Sequence, residues 1–325
     1  MNKMLFLLFA IMFQGTLFAQ ISPDEEEWNI YDSQTQTSSV LEIDPDLTSL
    51  ESYAPLFQED VPVIASVING EDWYQVNGRQ WPYSAVVHIK RDGIGRCSGA
   101  MIGPYTVLTN AHCVYKNIQH SNSTHNNGEM YDPRQLTVYA GGDASSISAR
   151  ATRIYAAPGT NHLDWGYEFM KKDYAILVLD SPIGDKSGYF GAKSARIQKG
   201  LAIKVIGFPG TKNSKNPWVS PGKVTELHNG YFYYDADVMG GNSGSPVFMQ
   251  SDSENIIALN SFGNDTPNDP YNGATHPANG SLLSFINKYR NEKPSAQERQ
   301  DSKPPKQNPS NSKEKLVDIF RQISR

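Results

Sequence analysis

The sequence predicts an all-β protein, a barrel or a sandwich, and three observations carry that prediction. Short runs of β-branched and aromatic residues recur through the middle of the 325-residue chain. Clusters of Gly, Pro, Asn and Asp separate them, as tight turns between strands require. Within the body of the chain, to about residue 290, only Ser281–Tyr289 places apolar side chains at helical spacing, with Leu282, Phe285, Ile286 and Tyr289 on one face. A chain of this length could hold two domains, but a single all-β unit of roughly 200–250 residues is common, so one unit with flanking appendages suffices.

Taken in order, the chain opens on Met1–Phe13, where one lysine precedes an apolar run too brief to span a bilayer comfortably. With Leu17-Phe-Ala19 before Gln20 as a cleavage site, residues 1–19 read as a secretory signal peptide. No later run approaches membrane-spanning length, so no membrane span is expected. Residues 20–66 then hold eleven Asp or Glu and no Lys or Arg. Such a block is ordinarily solvated and disordered. Its position between a signal peptide and the first strand-like runs gives the sharper reading of a propeptide. Residues 67–290 carry twenty Lys or Arg against eighteen Asp or Glu, so long-range attraction would help hold the acidic block against them.

The clearest strand-like runs of that body are Tyr83–Ile89, Gln135–Ala140, Tyr174–Leu179, Ala202–Ile206, Tyr231–Tyr234, Ser245–Phe248 and Ile256–Leu259. From 291 to 325 the chain is polar and proline-bearing, and it is expected to be disordered. Leu316, Ile319, Phe320 and Ile323 follow helical spacing there, over a stretch too short to be stable alone. The net charge of -5 and the absence of a basic face exclude a nucleic-acid partner. Phosphate-binding glycine loops are absent, and no cofactor or metal is expected.

The chemistry is organised around Asp235–Phe248, in which Ser243 lies among Gly240, Gly241 and Gly244. A serine hydroxyl is a weak nucleophile that needs a general base and N–H donors aimed at the developing oxyanion. Glycines can turn successive N–H groups towards one point, although alone the stretch could equally be an ordinary turn. His112, in Leu108–Val114, supplies a base. Asp173, directly before the apolar run Tyr174–Leu179, supplies a carboxylate to orient it. Asp164 is a rival, but Trp165-Gly-Tyr after it does not continue as a strand. The order His112, Asp173, Ser243 is one of three in which this triad occurs on unrelated folds. An α/β-hydrolase elbow is excluded, because the position two residues after the nucleophile is Ser245 and not glycine.

The stretches Leu108–Val114, Asp173–Leu179 and Gly240–Phe248, with Tyr83–Ile89 and Val205–Gly210, resemble the chymotrypsin-fold serine endopeptidases, most closely the bacterial glutamyl endopeptidase branch. The resemblance covers roughly residues 67–290. It implies two six-stranded β-barrels closed by a C-terminal helix, a His112–Asp173–Ser243 triad in the cleft between them, and an oxyanion hole from the N–H groups of Gly241 and Ser243. It implies protein or peptide substrates.

Val67–Asp72 resembles the mature start of that family. Asn242 stands where the chymotrypsin-type zymogen switch needs an aspartate, so activation would mean removal of a covering segment. Ala65-Ser66 before Val67 suits neither a Glu-specific nor a basic-specific enzyme, which points to a separate activating protease, with Glu59 or Asp60 as self-cleavage points if acids are preferred.

The family's Glu preference rests on a hydroxyl residue and a histidine at places held here by Val238 and Asn260. Asp237 stands where trypsin-like enzymes keep the carboxylate that binds Arg or Lys, and Gly263 closes the expected binding edge Asn260–Gly263. Basic or broad specificity is therefore expected slightly ahead of Glu. Cys97 and Cys113 are the only cysteines, and in a secreted protein an even pair favours a disulfide over a metal site or two free thiols. His88, His120, His125, His162 and His228 are expected to be structural or exposed, and His276 is a minor candidate for the pocket. The competing function class is an inactive relative kept as a binding or adhesion module. Retention of all three triad positions argues against it.

Overall fold

The computed structural model describes residues 29–55, 72–116, 129–156, 167–263, 272–275 and 281–302. The acidic N-terminal block contributes β1 (Asn29–Asp32), β2 (Thr37–Val40) and β3 (Ser49–Leu50), and β4 (Tyr74–Gln75) follows. Next come β5 (Val86–Arg91), β6 (Ile94–Met101), β7 (Thr106–Thr109), β8 (Leu136–Ala140), β9 (Ser148–Ala156), the short helix α1 (Tyr167–Lys171) and β10 (Ala175–Leu179). Six of these strands pair antiparallel in the order β10-β7-β6-β5-β8-β9, and β10 pairs back onto β9 to close a barrel. Closure leaves no unpaired edge around the ring.

A link containing α2 (Gly184–Ser187) and β11 (Gly191–Lys193) leads to β12 (Ala202–Gly207), β13 (Trp218–Leu227), β14 (Tyr231–Tyr234), β15 (Pro246–Met249), β16 (Asn255–Ile256), β17 (Ala258–Phe262) and β18 (Asn272–Thr275). The order β12-β15-β17-β18-β14-β13, closed by β12 on β13, makes a second six-stranded barrel, with β4 added to β13. The helices α3 (Ser281–Tyr289) and α4 (Ala296–Asp301) complete the described chain. The fold is the expected pair of antiparallel barrels with a C-terminal helix.

Burial explains why the strand signals differ in strength. All five residues of β10 are buried, and its uninterrupted apolar run is what such a strand requires. In β13, Pro221 and Gly222 mask the strand in the sequence. They are accommodated because β4 pairs only with Trp218 and Val219, and β14 begins only at Val224, so that flank is vacant where the proline N–H is missing. The face predicted for the helix is the one buried in α3: Phe285 packs 4.8 Å from the Tyr174 ring and Tyr289 stacks 4.1 Å from Tyr155.

Residues 29–55 of the acidic block lie along the body of the protein, with Leu41 only 3% exposed. At the other end, where disorder is expected from 291 onward, residues 296–301 form α4. Ser295 caps α4 in a reciprocal capping box with Glu298, whose carboxylate also takes two hydrogen bonds from the Arg153 guanidinium at 2.9 and 2.8 Å. Burial alone would raise the Glu298 carboxyl, but Arg153 and the cap hold it below the usual carboxylate range. The signal peptide, Val67 and the 303–325 tail lie outside the described residues.

Candidate active site

β7 and β10 are antiparallel neighbours with Thr109 opposite Ala175, so the residues just beyond that pair fall side by side. Asp173 comes two before Ala175, and Ala111–Cys113 turn in a single 3-10 coil after Thr109. His112 Nδ1 therefore lies 2.7 Å from Asp173 Oδ2, and the His112 backbone N–H donates to Oδ1 at 3.0 Å. The Ser261 hydroxyl donates to Oδ2 as well, and the Asn110 amide binds the Asp173 carbonyl at 2.7 Å. Asp173 has no solvent exposure, and a carboxylate in that position is tolerable only because donors converge on it. A proton on Nδ1 directed at Asp173 leaves the lone pair on Nε2, the tautomer a general base needs.

The turn that carries Ser243 is fixed through main chain. Ser98 of β6 donates its N–H to the Ser243 carbonyl at 2.8 Å and its hydroxyl to the Gly241 carbonyl at 2.8 Å. The same hydroxyl accepts the Phe208 N–H at 2.9 Å. Gly244, at φ +82°, lies so close to β6 and β7 that a Cβ would sit 2.3 Å from the Ser98 oxygen and 2.4 Å from Thr109 Oγ1. Within the turn the N–H groups of Asn242, Gly244 and Ser245 are spent on Met239, Asn260 and Asn242. Among the described residues, those of Gly241 and Ser243 have no protein acceptor. Gly241 also has φ +100°, which orients its amide as only glycine readily allows. Two adjacent unspent amides flanking a serine hydroxyl can stabilise an oxyanion.

Of the residues expected to set specificity, Val238 and Gly263 lie together: a Cβ on Gly263 would lie 3.0 Å from Val238 Cγ2, with Asn272 Oδ1 next at 3.2 Å. The Asp237 charge bears on Asp72, whose carboxyl is raised first by burial and then by that charge. Asn260 is 2% exposed, with its amide nitrogen on the Asn242 carbonyl at 2.8 Å and its oxygen accepting from the Tyr234 hydroxyl. Both ends are bonded inside the protein, so Asn260 braces the Ser243 turn. His276, His120, His125, His162 and Asp164 lie outside the described residues.

Beside Gly240 and Gly241 opens a cavity of about 380 Å³ lined also by His88, Lys90, Phe208 and Lys212. His88 is the expected structural histidine. Its Nδ1–H donates to Asp143 Oδ1 (3.0 Å) and its ring stacks on Phe208, and burial lowers its pKa despite Asp143. Cys97 and Cys113 form a disulfide. The sulfurs and the His112 ring lie within 4.8 Å of one another, but sulfurs joined to each other are not thiolate ligands, so the cluster is not a metal site. Sequence reasoning missed Ser98, Asn110, Ser261 and Tyr234, the residues that position the others.

The family model described as Trypsin matches residues 72–282, well over half of the chain. The chain belongs to the trypsin family. This trypsin-family chain is 35% identical over 192 residues to a glutamyl endopeptidase of Bacillus licheniformis, an alignment that covers 58% of this chain and 57% of the relative, so it spans little more than half of that protein. It is 26% identical over 269 residues to a glutamyl endopeptidase of Staphylococcus aureus, covering 77% of this chain and 70% of that one. A solved structure of Glu endopeptidase in complex with MPD superposes with a TM-score of 0.55 at 28% identity, covering 70% of this chain and 100% of that chain.

Proposed function

We propose that the protein is a secreted serine endopeptidase that hydrolyses peptide bonds through an acyl-enzyme. The observation that carries this reading is the buried Asp173–His112 pair at 2.7 Å. The unspent amides of Gly241 and Ser243 supplement it. His112 Nε2 takes the Ser243 proton as Oγ bonds to the substrate carbonyl carbon, and the carbonyl oxygen becomes an oxyanion held by the two amides. As the tetrahedral species collapses, the C–N bond breaks and the leaving amine receives the proton from His112. Water then repeats the sequence on the ester, releasing the acid and restoring Ser243. Asp173 holds the imidazolium without itself taking the proton. A fluorophosphonate probe should label folded, processed protein at Ser243. Folded protein that resists a probe active on a control enzyme would reject the reading.

For the residue before the scissile bond, Glu now ranks ahead of Arg and Lys. The relatives are named for glutamyl cleavage. Cleavage-site profiling on a mixed peptide library tests this, and cuts confined to Arg or Lys would reverse it. Residues 1–19 and the disulfide support export to an oxidising compartment. Residues 20–66 are read as a propeptide cut from the body before Val67 by a separate protease. The uncut block restrains activity before cleavage. The precursor should be much less active than the cut form, and equal rates would remove that role.

A further inference from the structure

We propose that residues 29–55 are a permanent part of the mature protein. They form a strap that stays bound when the chain is cut before Val67, so that the working molecule is a non-covalent pair of chains. This rests on the precursor reading above.

The strap has no ligand-like surface contact; it completes the fold. β8 pairs only with Ser148–Arg150 of β9, which leaves the far end of β9 with an open flank. β1 fills it, with Tyr31 opposite Ala156 and Asp32 opposite Tyr155, and Ser33 exchanges bonds with Ile154 at 3.0 and 2.8 Å. Leu41 then inserts into the core that contains Tyr155, Phe285 and Tyr289. Along α3, Ser284 Oγ accepts the Asp44 N–H at 2.9 Å and Lys288 reaches the Val40 carbonyl at 3.3 Å. β3 next pairs with β11 in the link between the barrels, Leu50 opposite Ala192 and Ser49 opposite Lys193. The half-buried Arg290 guanidinium donates to the Glu51 carbonyl at 2.8 Å, and Tyr53 exchanges two main-chain bonds with Tyr189 at 2.8 and 2.9 Å. One segment thus ties the first barrel, the link and the C-terminal helix together.

The body is shaped to receive it. A Cβ on Gly191 would meet the Leu50 carbonyl oxygen at 2.2 Å, and one on Gly188 would meet that of Tyr53 at 2.7 Å. Removal of the strap would expose the β9 flank and the β11 edge, and leave the Arg290 guanidinium without the carbonyl it binds. Among the described residues no ion pair joins 29–55 to the body, although the Glu51 charge bears on Arg290. Asp32 and Asp44 spend their carboxylates on the Gln34 and Asp46 N–H groups of the strap itself. For 29–55 the contacts are chiefly main-chain pairing and apolar packing by Leu41, Leu47 and Leu50.

The test uses the full chain carrying Ser243→Ala and a recognition sequence for an added protease within 56–66. After the cut, the two pieces should co-elute on size exclusion in a one-to-one complex, at low salt and equally at about 1 M NaCl, where surface charge attraction is screened out. They should part only on unfolding. Leu41→Asp should release the small piece or speed its loss at least tenfold. A chain beginning at Val67 should melt at a lower temperature and regain the difference when the 20–66 peptide is added during refolding. Separation of the pieces at low salt from a body whose melting temperature is unchanged would overturn the proposal. So would a Val67 chain as stable as the whole. No arm depends on turnover, so failure here leaves the peptidase reading standing, and failure of probe labelling leaves these measurements unaffected.

Discussion

His112 and Asp173 sit on the first barrel and are held by side chains, whereas Ser243 sits on the second barrel's turn and is held through main chain. On the first side, one imidazole is aimed by a carboxylate, itself fixed by Ser261, by the His112 N–H and, through its carbonyl, by Asn110. On the second, Ser98 binds two carbonyls of the turn, and Gly244 leaves no room for a Cβ. The two demands differ in kind. An imidazole must have its rotation and tautomer set, which needs a polar partner. A nucleophile must be presented with two amides in a fixed relation to its hydroxyl, which needs a particular backbone path. The first side should therefore fail electrostatically and the second sterically.

The largest effects come from the reacting groups. Ser243→Ala should abolish peptidase activity with the thermal unfolding curve unmoved. Asp173→Asn should lower turnover by ~10⁴, the magnitude known for this change in a serine protease triad, again with the fold intact by circular dichroism. A harmless Asp173→Asn would end the assignment of the orienting carboxylate. Next is the steric side: Gly244→Ala should destabilise the protein by about 2 kcal/mol or more, from overpacking and a strained φ. Gly240→Ala, where nothing lies within 4 Å of the added Cβ, should leave the melting temperature nearly unchanged. Equal penalties at the two glycines would break the contrast. Ser261→Ala should cost about 1.5 kcal/mol of transition-state stabilisation, roughly tenfold in turnover, by removing one hydrogen bond to a charged group. KM should be little affected.

The smallest effect isolates stability from catalysis. Burial by itself would raise the Asp252 carboxyl, but Lys193 at 2.6 Å and hydrogen bonds from Glu254 and Asn255 outweigh it and hold the pKa at about 2. The folded form thus binds its proton more weakly than the unfolded chain. Its stabilising contribution is present above the ordinary carboxylate value near 4 and is lost as the pH falls from there to about 2. Melting temperatures of the wild type and Asp252→Asn should differ at pH 6 and converge near pH 2, with activity at neutral pH the same. A gap that persists at pH 2 would count against this ion pair.

Much of this was legible in the sequence because it has local signatures. The all-β fold, α3, the Cys97–Cys113 pair and the stretches around His112, Asp173 and Ser243 each carry a pattern. Ser98, Asn110 and Ser261 carry none: a single hydroxyl or amide acquires its role from a partner dozens of residues away. Asn260 is a case of its own: its place on the expected binding edge located it along the chain, but not the bonds its amide makes to Asn242 and Tyr234. Residues 29–55 misled because the acidic count suggested solvation, while the binding is made by carbonyls, amides and Leu41, to which composition is blind. The order of 295–302 could have been found, since Ser295-Ala-Gln-Glu298 is a capping-box signature.

The single residue Ser98 has a consequence for motion. Its amide and its hydroxyl bind the Ser243 turn while its own strand belongs to the other barrel, so the halves cannot breathe apart without dismantling the nucleophile's setting. In deuterated solvent, the amides of Ser98 and Phe208 should then exchange together, at the rate of one shared opening event and far more slowly than surface strands. Catalytic readiness in this molecule is a property of the seam between the barrels, and the kinetics of that seam set how long the site persists in its working form.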